Sequence, residues 1–234
     1  MKLPPNKENL ERYMENTKIF SFVGLEHEEI PYYIAQELSD RGRNVLVIDN
    51  SIRHNLFLSL NRLDEAADSV EAGKIIFLRN KGFSENNFKK FDAVIIYHGM
   101  NPDSALMDES DRNILVMNYL TSDLRDIRNH TNLSKVSKYK NLEYLFKDRA
   151  SGKVSEKYIK NLMGLDEVED EAIITFDEND LAMKIAFQYN GIQPIKGLSS
   201  ELRQYINGFI DDVHLAQKKK KKEEKRNKKG DGNK

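Results

Sequence analysis

Cysteine is absent from this 234-residue chain, which excludes a disulfide framework, a thiolate nucleophile and a cysteine-ligated zinc site. Long apolar runs are missing too: none approaches the roughly 18 residues that cross a bilayer. The first residues, MKLPPNKENLERYMENTK, lack the apolar stretch of a secretory signal, so a cytoplasmic protein is expected. The histidines, His27, His54, His98, His130 and His214, share no i, i+3 or i, i+4 spacing, and no metal site is expected from them. There is no internal repeat, and no Pro/Gly/Ser linker divides the body.

What is present is enough for one sizeable α/β core. Charged residues make up 32% of the chain and hydrophobic ones 39%, the balance of a strongly solvated protein. The net charge of -1 hides an asymmetry: from Gln217 onward the chain carries +7, leaving -8 on the body. The run Lys218, Lys219, Lys220, Lys221 and Lys222 has no aromatic residue and no apolar face. It is expected to be a frayed helix end passing into a disordered tail that meets anionic lipid or nucleic acid by charge alone. The expected organisation is a polar leader over 1–17, an α/β domain over 18–215 and the basic tail over 216–234.

Short apolar runs alternate with segments of helical spacing. KIFSFVG at 18–24 predicts a buried strand ending at a glycine. LEHEEIP at 25–31 reads as a loop, and YYIAQELSDRG predicts a helix closed by Gly42. RNVLVID at 43–49 has the character of a strand buried on both faces of a parallel sheet. Residues 52–72 read as mostly helical, 74–78 as a strand and 84–90 as a short polar helix or turn. Strands are expected at 91–97 (FDAVIIY), 113–118 (NILVMN), 143–146 and 172–175. Helices are expected at 122–130, 154–164, 178–189 with apolar Leu181, Ile185 and Ala186, and 199–215 with Leu202, Ile206, Ile210 and Val213 on one face. The alternation predicts a doubly wound, mostly parallel sheet flanked by helices.

In such sheets ligands sit at the carboxyl ends of the strands, and the loop after the first strand is the usual phosphate cradle. Here it is GLEHEEIPYY. A working P-loop, G-x-x-x-x-G-K-[ST], uses glycines to let backbone N–H groups close on the phosphates, lysine to neutralise them and a hydroxyl to hold magnesium. Only Gly24 remains of these parts. Between Lys18 and Arg41 there is no lysine or arginine. Instead stand Glu26, Glu28 and Glu29, which suit a helix N-terminus but repel a triphosphate drawn to the same field.

KIFSFVG, YYIAQELSDRGRNVLVIDNS, FDAVIIYHG, NILVMNYLTSDLRDIRN and SGKVSEKYIKNLMGL resemble, in that order, successive segments of the MinD/ParA family of deviant-P-loop ATPases. The resemblance implies a family that positions macromolecular assemblies, among whose members TadZ-type pilus-assembly proteins carry atypical ATPase domains. By the same resemblance Gly24 and Asp49 match nucleotide-site positions, Asp49 being the aspartate that prepares the attacking water in relatives, while Tyr97 stands where a metal-associated aspartate is usual. Asp49 is thus the residual catalytic candidate, and its bland alternative is a cap on the following helix. Phosphoryl transfer needs positioned positive charge, which a lone base does not supply. The expectation is a pseudo-ATPase without a bound cofactor, working through protein partners or as a homodimer, with Glu26, Glu28, Glu29 and the lysine run as contact residues and peripheral membrane attachment through the tail. The alternatives are weak ATP or ADP binding, an ATPase that recruits its lysine from elsewhere, such as Lys153 or a partner, and a nucleic-acid module.

Overall fold

The computed structural model describes residues 17–24, 27–60, 67–79, 88, 90–152 and 154–230, with the side chains of Ser104 and of 219–230 outside the description. Its centre is an eight-stranded sheet in the order β3-β4-β2-β5-β1-β6-β7-β8. The strands are β1 (Lys18–Gly24), β2 (Val45–Asp49), β3 (Ser69–Ala72), β4 (Ile75–Arg79), β5 (Ala93–Gly99), β6 (Arg112–Met117), β7 (Leu142–Arg149) and β8 (Asp170–Thr175). All neighbours pair in parallel except β3, which is antiparallel to β4. This is the doubly wound arrangement expected from the alternation of runs.

Alternation of side chains sorts the core onto the two faces. Phe20 and Phe22 of β1 point to one face with Val45, Val47, Ile95 and Leu145. Ile19 and Val23 point to the other, where Leu46, Ile48, Leu115, Tyr144 and Phe146 also lie. The first face is covered by α1 (Glu29–Asp40), α2 (Asn55–Leu60), α7 (Glu178–Asn190) and α8 (Ser200–Gly230); the second by α3 (Ser104–Asp108), α4 (Thr121–His130), α5 (Leu133–Val136) and α6 (Glu156–Met163). Helix ends follow local chemistry. Ser155 Oγ accepts from the Tyr158 N–H at the start of α6, and Gly164, left-handed at φ 68, ends it.

The stripe expected on the last helix is buried: Leu202, Ile206, Phe209, Ile210 and Val213 all face the sheet. The Phe209 ring meets Phe20 edge-on at 4.9 Å and carries the Arg112 guanidinium 4.0 Å above its centre. Arg112 also bonds Glu143 and Asp212, tying α8 to the starts of β6 and β7.

Four expectations are corrected. Residues 52–72 hold only the short α2, and Ser69–Ala72 is a strand that turns through Gly73 to pair with β4; residues 61–66 lie outside the description. The segment 25–31 is not loop throughout, since α1 starts at Glu29 and takes Pro31 into its first turn, a position where the missing N–H costs little. On α7, Leu181 and Ile185 face outward, 42% and 46% exposed, while Phe187 and Asp180 are buried. Helix α8 runs to Gly230 instead of ending near Leu215, because lysine, glutamate and arginine are good helix formers despite their like charges. Ala216 and Gln217 are the last buried residues among those of the helix whose side chains are described. Most of the helix or turn expected at 84–90 lies outside the described residues.

Candidate functional site at the carboxyl edge of the sheet

Strand order reverses about β1, so the ends of β1, β5 and β2 form the crevice where sheets of this type take ligands. A cavity of about 420 Å³ opens there, lined by Gly24, Ser51, Arg53, Tyr97, His98 and His130 among others. Gly24 is required by space as well as conformation: its φ is +122, and a Cβ would stand 2.1 Å from the Val116 carbonyl oxygen of β6.

Asp49, fully buried at the end of β2, is turned into the following helix. One carboxylate oxygen accepts from the Ser51 N–H (3.0 Å) and Ser51 hydroxyl (2.5 Å), and the other from the Phe57 N–H (2.9 Å) in the first turn of α2. It is not among the residues lining the cavity. Burial raises its pKa, and the Ser51 and Phe57 hydrogen bonds oppose that only in part. The geometry is that of a helix cap.

His98 closes the floor. Its Nδ1 accepts from the Asp103 N–H (3.3 Å) and lies 3.0 Å from the Asn50 amide nitrogen, which leaves the proton on Nε2, 3.2 Å from Ser21 Oγ. The Ser21 hydroxyl meets Ser110 at 2.7 Å, whose hydroxyl donates to the Leu106 carbonyl. Burial holds the His98 pKa down to about 4, so the ring is neutral at pH 7.

The other carboxylates gather at the N-terminus of α1 and are buried rather than displayed. Glu28 and Glu29 are 2% and 1% exposed; Glu26 lies outside the described residues. Glu29 faces three cationic or protonatable groups from three places: Lys147 Nζ of β7 at 3.3 Å, Lys184 Nζ of α7 at 3.7 Å and His27 Nδ1 at 3.4 Å. Burial would raise its pKa, but Lys184 and Lys147 outweigh that and hold the carboxyl well below the usual range. Lys147, itself buried, has its pKa raised against its burial by Glu29 and Asp148. Glu28 is pushed upward by burial and by Glu29, and accepts from the Gln188 amide at 2.8 Å.

Two backbone donors of this turn are engaged and one is missing. The Ile30 N–H bonds the His27 carbonyl at 3.1 Å, the Tyr32 N–H bonds the Glu28 carbonyl at 3.4 Å, and Pro31 has none. Neither oxygen of Glu29 and neither ring nitrogen of His27 has a hydrogen-bond partner among the described residues. Inward-facing Lys184, Phe187 and Gln188 lay α7 over this point, with Phe187 stacked on Tyr32 at 4.3 Å.

Sequence reasoning places Gly24, Asp49, Glu28 and Glu29 at one edge, as the structure does, but it does not find Lys147, Lys184 or Gln188. A signal existed for two of them: Asp180, Lys184 and Gln188 recur every fourth residue on α7, a polar line roughly 100° around the helix from Leu181 and Ile185. Lys153 lies outside the described residues. Lys218 is exposed on α8, and Lys219, Lys220, Lys221 and Lys222 are helical in backbone, their side chains outside the description. No described group of histidines and carboxylates is arranged to hold a metal ion. No described helix is long and apolar enough to cross a membrane.

The sheet order, the parallel crossovers and the crevice at β1 define a P-loop NTPase-like α/β protein. Among solved structures the fold is that of MinD and ParA ATPases. The ParA family ATPase of Chlorobium tepidum aligns at TM-score 0.56 and 15% identity over 82% of this chain and 98% of its own. The septum site-determining protein MinD of Pyrococcus horikoshii, complexed with Mg-ADP, aligns at 0.55 and 16% over 86% and 97%. MinD from the MinC:MinD cell division complex of Aquifex aeolicus aligns at 0.53 and 14% over 74% and 86%. No family model matches the sequence, and no curated protein matches it.

Proposed function

We infer that this chain is a non-catalytic MinD/ParA-like pseudo-ATPase that serves as a localisation or assembly scaffold for a membrane-associated machine such as a pilus or secretion system. The observation that carries the reading is the N-terminus of α1. The Ile30 and Tyr32 donors are taken, Pro31 has none, and a buried carboxylate, Glu29, holds the field that a phosphate needs. These residues do not fit a polyphosphate, and Asp49, bonded into its own turn, is not aimed at one.

A scaffold works through its surfaces, and α7 offers one. Leu181, Ile185 and Tyr189 lie one turn apart and are 42%, 46% and 66% exposed, with Phe176 beside them in sequence at 46%. The MinD of Aquifex aeolicus was solved with a protein partner, MinC, which favours a protein as the ligand of this fold. The basic end of α8 adds a salt-sensitive contact with anionic lipid.

A second reading, an ATPase activated by a partner, draws on the two lysines brought to the start of α1. Lys147 and Lys184 would serve it only if Glu29 moved away. Calorimetric titration of the full chain with ATP or ADP and magnesium separates the two. The scaffold reading expects no binding heat; micromolar binding with turnover that Asp49→Ala abolishes would overturn it.

A further inference from the structure

We propose that the Glu29 carboxylate is a built-in substitute for a bound anion, plugging a latent site for a small carboxylate or phosphate formed by Lys147, Lys184, His27 and the start of α1. The inference rests on the pseudo-ATPase reading and supplies its physical cause. Three observations carry it. First, the carboxylate sits on the first residue of a 12-residue helix, where the dipole favours negative charge. Second, the cations come from separate elements, β7 and α7, and Lys147 is only 4% exposed. Lys147 also bonds Asp148 at 2.9 Å, but that carboxylate is 35% exposed, whereas the buried Glu29 meets both lysines.

Third, Glu29 fills the place imperfectly. Its contacts of 3.3 to 3.7 Å are longer than the 2.7–2.9 Å of good charge-assisted hydrogen bonds. Both its oxygens and both nitrogens of the 4% exposed His27 lack hydrogen-bond partners among the described residues. A tethered group reaches the cations at the distance its own backbone allows, whereas a free anion settles between them. Glu28, bonded to Gln188, closes the side of the site toward α7.

The plug is tested by removing it. In Glu29→Ala the cations remain and the carboxylate volume becomes free, so sodium formate and inorganic phosphate should bind about tenfold or more tightly than to the wild type. Each should also raise the thermal midpoint of the variant, which starts about 10 °C below the wild type, while sodium chloride at equal ionic strength does much less. Adding Lys147→Met should abolish the gain. A folded Glu29→Ala that responds to formate and phosphate no more than the wild type does overturns the proposal. If Glu29→Ala does not fold in chloride, the same anions are present during refolding: recovery of folded protein in formate or phosphate supports the plug, and no recovery in either overturns it. The parent reading fails differently, through ATP binding and turnover by the wild type.

Discussion

Two buried carboxylates stand at the same edge of one sheet and are held in opposite ways. Asp49, after β2, is surrounded by donors of its own turn, three hydrogen bonds within eight residues. Glu29, after β1, has no hydrogen-bond partner among the described residues and is held by cations supplied from residues 147 and 184. The first is a local device that any chain with D-x-S before a helix can build. The second exists only in the folded protein, because charge must be assembled from three elements. A carboxylate satisfied locally is a cap, while one satisfied by distant cations depends on the tertiary fold.

The largest effect that separates them is on stability. Replacing Glu29 by leucine leaves the buried Lys147 with Asp148 alone and should cost up to about 3–5 kcal/mol in chemical denaturation. Adding Lys147→Met should recover much of that loss, since an apolar pair is tolerated where half an ion pair is not. An unchanged midpoint in Glu29→Leu would remove the contrast.

Acid should separate them next. Glu29 has a depressed folded pKa, so its contribution is complete above the ordinary glutamate pKa and is lost as pH falls below it. Asp49 has a raised pKa and loses nothing on acidification. His98 adds an earlier phase: the unfolded ring binds a proton below about 6.5, the folded one only near pH 4, so stability falls between those values by a ceiling of about 3 kcal/mol. Urea midpoints against pH should show His98→Asn flattening the phase above pH 4, Glu29→Gln flattening the one below the glutamate range, and Asp49→Asn flattening neither.

Smaller still is the cap itself. Asp49→Asn keeps one acceptor and should cost about 1 kcal/mol, confined to α2 and insensitive to salt. Ile185→Ser, on the exposed side of α7, should stay within about 0.5 kcal/mol of the wild type; a larger loss would mean that this stripe is packed in the isolated protein.

How much of this was legible depended on distance along the chain. β1, β2, β5 and β6 were readable because a strand buried on both faces must be apolar throughout. β3 was not, since SVEA at an edge is half-buried and carries no run of its own. The segment 25–31 reads as a loop, although the first turn of a helix accepts Pro31. The loss of P-loop glycines and lysine was plain from GLEHEEIPYY alone, and so was the alternative of Asp49 as a cap. The burial of Glu28 and Glu29 was not, because the lysine and amide that permit it lie more than 100 residues away. Three carboxylates within four residues read as surface when their partners are out of view.

The central claim is that the start of α1 is closed to phosphate, and direct titration of the purified full chain with magnesium ATP by calorimetry tests it. The account predicts no saturable heat and no phosphate release. Saturable micromolar binding with hydrolysis that disappears in Asp49→Ala would contradict it.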